Sequence, residues 1–475
     1  MFVGRHRELE ELEKYYREGT FHFAVFYGRR RVGKTTLINR FRENKTSVYF
    51  AAAETTAKEN LELLSARILS VLVPEAPGNP FVSFNEAFDY CFRAALKKQV
   101  VLIIDEYPYL AESERSVSSL LQAAIDKYKE KTRLFLILCG SSMSFMENQV
   151  LGYKSPLYGR RTCQFKIQPF SYYDSAEMLP AFSGEDKITL YGMCGGIPDY
   201  LSRINNGLSV RQNAENLFFN PAGRLFEEPT NLLKQELRTP QTYNAIITAI
   251  AWGASKLNEI ATKAGIETSQ CSNMLATLIG LGIVKKEYPL APVQGSVPVR
   301  KTIYRLEDFM FRFWYRFVLP DLSRISMGYG KMVCAEIFGK AASGGKTETG
   351  KIETYTGPVF EECAAQFLWR ELGRGRYNFK TLGRWWGPNP KEKREEEIDL
   401  IAFDDANNAL LGECKWRNSR TGNDTLDDLI RKSELLPDYA ARRYILFSKS
   451  EFTAELRRTA AARKDTILVR AAEMF

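Results

Sequence analysis

Histidine is nearly absent from this sequence: His6 and His22 are the two found in 475 residues. With so few imidazoles, neither a histidine-based catalytic triad nor a histidine-rich zinc site is expected. The eight cysteines include no Cys-x-x-Cys pair, and several sit in apolar stretches such as Leu136-Ile137-Leu138-Cys139. They read as reduced core residues of a cytosolic protein, not as a disulfide framework. No run approaches the roughly 20 apolar residues that a membrane helix needs. The start, Met1-Phe2-Val3-Gly4-Arg5-His6, lacks the apolar stretch of a signal peptide. The expectation is a cytoplasmic protein with no membrane partner. No internal repeat is evident.

What is present is a globular composition, 45% apolar and 26% charged. A chain of this length exceeds one hydrophobic core, so two to three domains are expected. The formal net charge of +9 suits a polyanion partner only mildly, since it is spread over a large surface. Short apolar runs at 21–27, 47–53, 100–104, 134–138 and 164–167 alternate with helical patterns such as 59–72 and 116–128. Strand–helix alternation predicts an α/β fold with a parallel sheet covered on both faces.

The first apolar run ends in Gly28-Arg29-Arg30-Arg31-Val32-Gly33-Lys34-Thr35, followed by Thr36. This is the full G-x-x-x-x-G-K-[ST] pattern between a strand and a helix. Its glycines let backbone N–H groups face a phosphate, and the next helix aims its N-terminus at the anion. Lys34 is expected to reach the β- and γ-phosphates of ATP, and Thr35 to offer its hydroxyl to Mg²⁺. The run at 100–104 ends in Asp105-Glu106. Asp105 is placed to hold Mg²⁺, and Glu106 to polarise the attacking water. After 134–138 come Cys139-Gly140-Ser141-Ser142, where Ser141 or Ser142 can sense the γ-phosphate. In Ser155-Pro156-Leu157-Tyr158-Gly159-Arg160-Arg161, either Arg160 or Arg161 can serve as an arginine finger; a plain surface pair is the alternative.

Phe2-Val3-Gly4-Arg5, the cradle, Asp105-Glu106, Gly140-Ser141-Ser142, Gly159-Arg160 and Gly195-Gly196-Ile197-Pro198 follow one another in an order that resembles the archaeal-type ATPase family, relatives of AAA+ and STAND NTPases. The resemblance covers roughly residues 1–320. It implies that Gly4 and Arg5 lie near the adenine and that the Gly-Gly-Ile-Pro turn closes by the nucleotide. It also implies a finger able to act on a neighbouring subunit's nucleotide, hence a homo-oligomer.

Within 206–320 the segment 256–266, then 269–281, then Gly282-Ile283-Val284 reads as helix, turn, helix and strand, a winged helix-turn-helix. Its second helix carries Gln270, Ser272 and Asn273 but no cation, whereas the wing holds Lys285, Lys286, Arg300 and Lys301. DNA binding and packing on the ATPase core are both open readings. The aromatic stretch 306–317 reads as interdomain core. The small polar run 341–350 reads as a linker or mobile loop.

Toward the C-terminus, runs at 395–403 and 408–416 flank the turn residues 404–408. Glu413 and Lys415 share a strand face, and Asp399 can face them across the hairpin. Two carboxylates can bind Mg²⁺ while the lysine orients or activates water at a scissile phosphate. Glu361 or Glu362, in a helix opened by Gly357-Pro358, can add a carboxylate. Phe360-Glu361, Trp385-Trp386-Gly387, Glu397-Ile398-Asp399 and Gly412-Glu413-Cys414-Lys415 resemble the PD-(D/E)XK nuclease fold, in a domain often fused to archaeal-type ATPases. The expected organisation is a P-loop ATPase domain at 1–205, a helical lid and winged helix at 206–320, a linker at 321–356, and a nuclease-like α/β domain at 357–475. The leading expectation is an ATPase acting on DNA with a metal-dependent distal centre. The alternative is a nucleotide-dependent regulatory switch whose C-terminal domain only binds.

Overall fold

A computed structural model describes residues 2–75, 78–237, 239–290, 302–339, 350–436 and 441–475. The chain forms two compact units: Met1–Pro169 with Ile197–Asp199, and Phe170–Gly196 with Tyr200–Phe475.

In the first unit, strands β1 (His22–Tyr27), β2 (Ser47–Ala51), β3 (Val100–Asp105), β4 (Leu134–Gly140) and β5 (Cys163–Lys166) make one sheet in the order β2-β3-β4-β1-β5. Every pairing is parallel. The three central strands are buried at every position and apolar except at His22 and Asp105, as a sheet covered on both faces requires. The edge strands β2 and β5 instead alternate in burial. Helices such as Ala57–Leu72 and Phe84–Lys97 cover one face, each started by a hydroxyl that accepts a backbone N–H: Thr56 from Glu59 and Ser83 from Glu86. The parallel α/β sheet is the one expected from the alternation. In such sheets ligands bind at the carboxyl ends of the strands. Gly28, Asp105 and Ser141 all lie there, at the ends of β1, β3 and β4.

The second unit begins with helices. Leu257–Ala264, a left-handed Gly265 and Thr268–Gly280 lead into an antiparallel hairpin of β6 (Val284–Glu287) and β7 (Ile303–Leu306). Arg300 and Lys301 of the expected wing lie outside the described residues, as does most of the expected linker run 341–350. The aromatic stretch is core: Phe309, Phe311, Phe313, Trp314, Tyr315 and Phe317 are all buried. Phe313 alone meets the rings of Phe218, Phe219, Phe317 and Tyr355. The span 321–356 departs from a linker, because Gly330–Phe338 is helical and the helix Lys351–Gly373 begins before Pro358. Pro358 was expected near the start of that helix but sits inside it. Its ring lacks one N–H, and the helix bears this loss because Val359, Phe360 and Cys363 are fully buried just beyond.

A second, mixed sheet follows: β8 (Thr381–Asn389), β9 (Arg394–Phe403), β10 (Ala409–Lys415), β11 (Arg442–Ser448) and β12 (Thr466–Arg470), in the order β12-β11-β10-β9-β8. β9 runs antiparallel to both of its neighbours, β8 and β10, and β10, β11 and β12 run parallel. The β9–β10 turn is built by Asp404, whose Oδ1 accepts the N–H groups of Ala406 and Asn408 at 2.9 and 2.8 Å. The helix Asn423–Ser433 makes the crossover from β10 to β11 and packs on the core of Ile398, Ile401, Leu411 and Leu446. Among the described residues, no helix is long and apolar enough to cross a membrane.

Candidate functional site

The loop after β1 wraps tightly. A Cβ on Gly28 would stand 2.4 Å from the carbonyl oxygen of Ile167, so a side chain there would push β5 away. Arg31 and Gly33 have left-handed φ of 69° and 88°, which turns the loop before the helix Lys34–Phe41. Lys34 is 7% exposed. Its Nζ donates back to the carbonyls of Gly28 and Arg29 at 2.8 and 2.9 Å. Burial lowers the pKa of its ammonium, an effect that nearby Cys139, Glu106 and Asp105 partly offset. The ammonium is thus held over the loop's own carbonyls.

Asp105 is 5% exposed. Its Oδ2 accepts from Thr35 Oγ1 at 2.9 Å and from the Tyr49 hydroxyl at 2.6 Å, and its Oδ1 accepts from the Glu106 N–H at 3.0 Å. A hydroxyl and a carboxylate so close at the mouth of the loop are oxygen donors of the kind Mg²⁺ takes, so Thr35 and Asp105 fit that ion. The Tyr49 phenol is pushed far up by burial and by Asp105, so it remains a donor. Glu106 has left-handed backbone angles, φ 49° and ψ 44°. Ser141 Oγ donates to its carboxylate at 2.9 and 3.2 Å, and the Ser141 N–H lies 3.3 Å away. Of the two serines considered, Ser141 is the one that touches Glu106.

Gly4 and Arg5 also take positive φ, 60° and 61°. The Arg5 guanidinium donates to the carbonyls of Val32 at 2.9 Å and Gln168 at 2.5 Å and pairs with Glu8 at 3.2 Å. It thus ties the start of the chain to the loop and to the segment after β5. Pro198 comes back to the loop, its Cγ 3.7 Å from where a Cβ on Gly33 would stand, and Asp199 lies 3.8 Å from Arg31. Arg30 reaches Tyr109 at 3.4 Å. Thr35 and Thr36 are exposed. Arg160 is engaged elsewhere: its guanidinium forks onto Asp126 at 2.9 and 2.7 Å and donates to Pro156 O at 2.9 Å. Arg161 lines a groove of about 430 Å³ with Glu11, Tyr15 and Gln164 along edge strand β5.

In the second unit, the β9–β10 register pairs Gly412 with Leu400 and Leu411 with Ile401. One further step sets Glu413 opposite Asp399, on the same face. Asp399 is 7% exposed and Glu413 5%. Asp399 Oδ2 accepts the Cys414 N–H at 2.9 Å. Burial, then Glu361, then Glu413 push the Asp399 carboxyl up to about 8, against the pull of the Cys414 N–H and Arg384. Lys415 Nζ donates to Glu413 Oε1 at 2.6 Å, and Lys432 lies 3.3 and 3.4 Å from the two Glu413 oxygens. Glu361 pairs with Arg384. Asp399, Glu413 and Glu361 were expected to gather as metal ligands. They share one electrostatic neighbourhood, but among the described residues no group of three or more His, Cys, Asp or Glu is arranged to hold a metal ion. The physical reason is local: each glutamate is already neutralised by a lysine or arginine.

Comparison with known proteins fits this geometry. Residues 2–204 match the model of an ATPase domain predominantly from Archaea, and residues 314–425 match one of archaeal and bacterial proteins of unknown function. An uncharacterised protein of Methanocaldococcus jannaschii is 32% identical over 459 residues, covering 95% of this chain and 96% of that protein. This chain belongs to the archaeal-type ATPase family. An uncharacterised ATP-binding protein of the same organism is 56% identical over 45 residues, 10% of this ATPase and 76% of the relative. A Walker-type ATPase of Pyrococcus abyssi superposes with a TM-score of 0.50 at 19% identity, over 66% of this ATPase and 96% of that chain, and so shares its fold.

Sequence reasoning missed three polar residues of the archaeal-type ATPase that touch these sites. Tyr49 comes from the strand beside β3, and its place could be read from the strand order alone. Lys432 sits on the apolar face of the helix Asn423–Ser433 between Leu429 and Ser433, where a cation has no reason to be unless it meets a buried acid. Arg384 gives no signal in sequence, because its direction is set by an irregularity of β8.

Proposed function

We propose that this protein hydrolyses ATP at the β1 loop and couples that turnover to work on DNA, which the Asp399–Glu413–Lys415 centre cleaves at phosphodiester bonds. Lys34 would hold the γ-phosphate, Thr35 and Asp105 would hold Mg²⁺, and Glu106 would orient the attacking water once it leaves Ser141. Mg²⁺ would offset charge on the phosphate oxygens. At the distal centre, Asp399 and Glu413 would supply oxygen ligands and Lys415 would position water at the phosphate.

The observation that carries the DNA reading is the pairing of two buried carboxylates with a lysine 2.6 Å from one of them, on adjacent strands of a chain that also holds a complete nucleotide loop. The test is a cleavage assay on circular and linear DNA with Mg²⁺ or Mn²⁺, with and without ATP. Glu413→Ala is expected to lose cleavage and keep ATP turnover, and Lys34→Ala to lose ATP turnover. Equal cleavage by wild type and Glu413→Ala would remove the nuclease reading.

A second reading has its own support. Glu413 and Glu361 are both neutralised by cations, as suits a binding module in a nucleotide-dependent switch. In that case DNA neither stimulates ATP turnover nor is cut.

A further inference from the structure

Strand β8 is irregular at one point. Its ladder with β9 shifts register between Gly383 and Trp385, so Arg384 falls at a bulge. Bulges re-aim side chains and free backbone groups for other partners. Here the freed carbonyl of Arg384 accepts the Leu290 N–H at 2.7 Å, from the segment just after β6. Leu290 also packs against the core of the second sheet, its Cβ 3.3 Å from where a Cβ on Gly383 would stand. The re-aimed guanidinium pairs with Glu361 and lies 4.0 Å from Glu397. The same hairpin grips the helix that carries Glu361. Lys285 on β6 bridges Glu287 at 2.7 Å and Glu362 at 3.0 Å, and Arg305 on β7 pairs with Glu287 at 3.4 Å. The hairpin thus holds both partners of the Arg384–Glu361 pair in place.

We propose that Arg384 is a positioning residue of the distal centre: seated by the β6–β7 hairpin, it commits Glu361 to a guanidinium and so keeps the Glu361–Asp399–Glu413 set from closing on a divalent cation. The inference rests on the metal reading of that centre. A buried guanidinium supplies the positive charge that a metal would otherwise bring, and it cannot lose its proton. Glu361 is therefore closed to metal while the hairpin is seated, and it is freed to join Asp399 and Glu413 when Arg384 is withdrawn.

The experiment is a Mn²⁺ titration of the full-length, nucleotide-free chain, followed by the electron paramagnetic resonance of free Mn²⁺. Arg384→Gln keeps length and hydrogen bonding but removes the charge. It is expected to bind Mn²⁺ about tenfold or more tighter than wild type, and the double variant Arg384→Gln/Asp399→Asn to lose that gain. Arg384→Lys keeps the charge and is expected to bind as weakly as wild type, which separates a charge effect from a general loosening of the fold. If wild type already binds Mn²⁺ through Asp399 as tightly as Arg384→Gln, the inference falls while the metal reading stands. If no variant shows Mn²⁺ binding that depends on Asp399, both fall together. A gain that survives Asp399→Asn also overturns the inference.

Discussion

Buried beside Glu361 and Glu413, Asp399 has a carboxyl pushed up to about 8, well above the roughly 3.9 of an unfolded chain. Burial is the largest cause and the two carboxylates add to it. Between about pH 4 and pH 8 the folded chain therefore binds the proton that the unfolded chain has released. In that window stability falls as pH rises, and the loss is complete above pH 8. Asp399→Asn removes the ionisation yet keeps an acceptor for the Cys414 N–H. In chelator, the variant is expected to melt several degrees above wild type at pH 8, with the difference shrinking at pH 4.5. Thermal melts at the two pH values decide it, and a difference that does not change with pH would contradict the setting described for this residue. At this scale the loop from Gly28 to Thr35 was legible because its residues are contiguous and their spacing alone marks the pattern. Asp399, Glu413 and Lys415 were legible as residue types at strand spacing. The ions that neutralise them were not, since Arg384 and Lys432 arrive from other elements.

Elements carry the coupling around the nucleotide loop. Asp105 at the end of β3 receives one hydroxyl from the first turn of the helix Lys34–Phe41 and another from β2. One carboxylate thus pins two strands and the helix that follows the loop. Tyr49→Phe removes one of these donors and leaves Asp105 with Thr35 and the Glu106 N–H. The expected cost is about 1.5–3 kcal/mol of stability, the usual worth of a hydrogen bond to a carboxylate. Urea unfolding of the nucleotide-free protein reads it as a lower midpoint, with ATP turnover held within about threefold. An unchanged midpoint would mean that Tyr49 does not help to fix Asp105. The strands themselves were legible because buried parallel strands are continuous apolar runs, and their ends moved by a few residues at most. The helix Lys351–Gly373 was legible only from Pro358 onward. A proline usually marks a first turn, and burial of the residues just beyond it overrode that signal here.

For the whole molecule, the net charge of +9 invites a nucleic-acid reading, and the basic hairpin was one place to look for it. Within the second unit much of that charge is spent internally. Lys285 sits between Glu287 and Glu362, Arg305 pairs with Glu287, Arg384 with Glu361, and Lys432 with Glu413 and Asp428. A cation already paired releases few counterions when DNA arrives, so it adds little to the salt dependence of binding. Duplex DNA titrated by fluorescence anisotropy from 50 to 300 mM salt is therefore expected to bind Lys285→Gln within about twofold of wild type and with the same salt slope. A slope that drops by about one unit in the variant would instead place Lys285 on a phosphate. If the protein works on DNA as proposed, the attraction would rest on cations other than those that seat the hairpin, because a lysine that leaves Glu362 for a phosphate would also loosen the helix that carries Glu361.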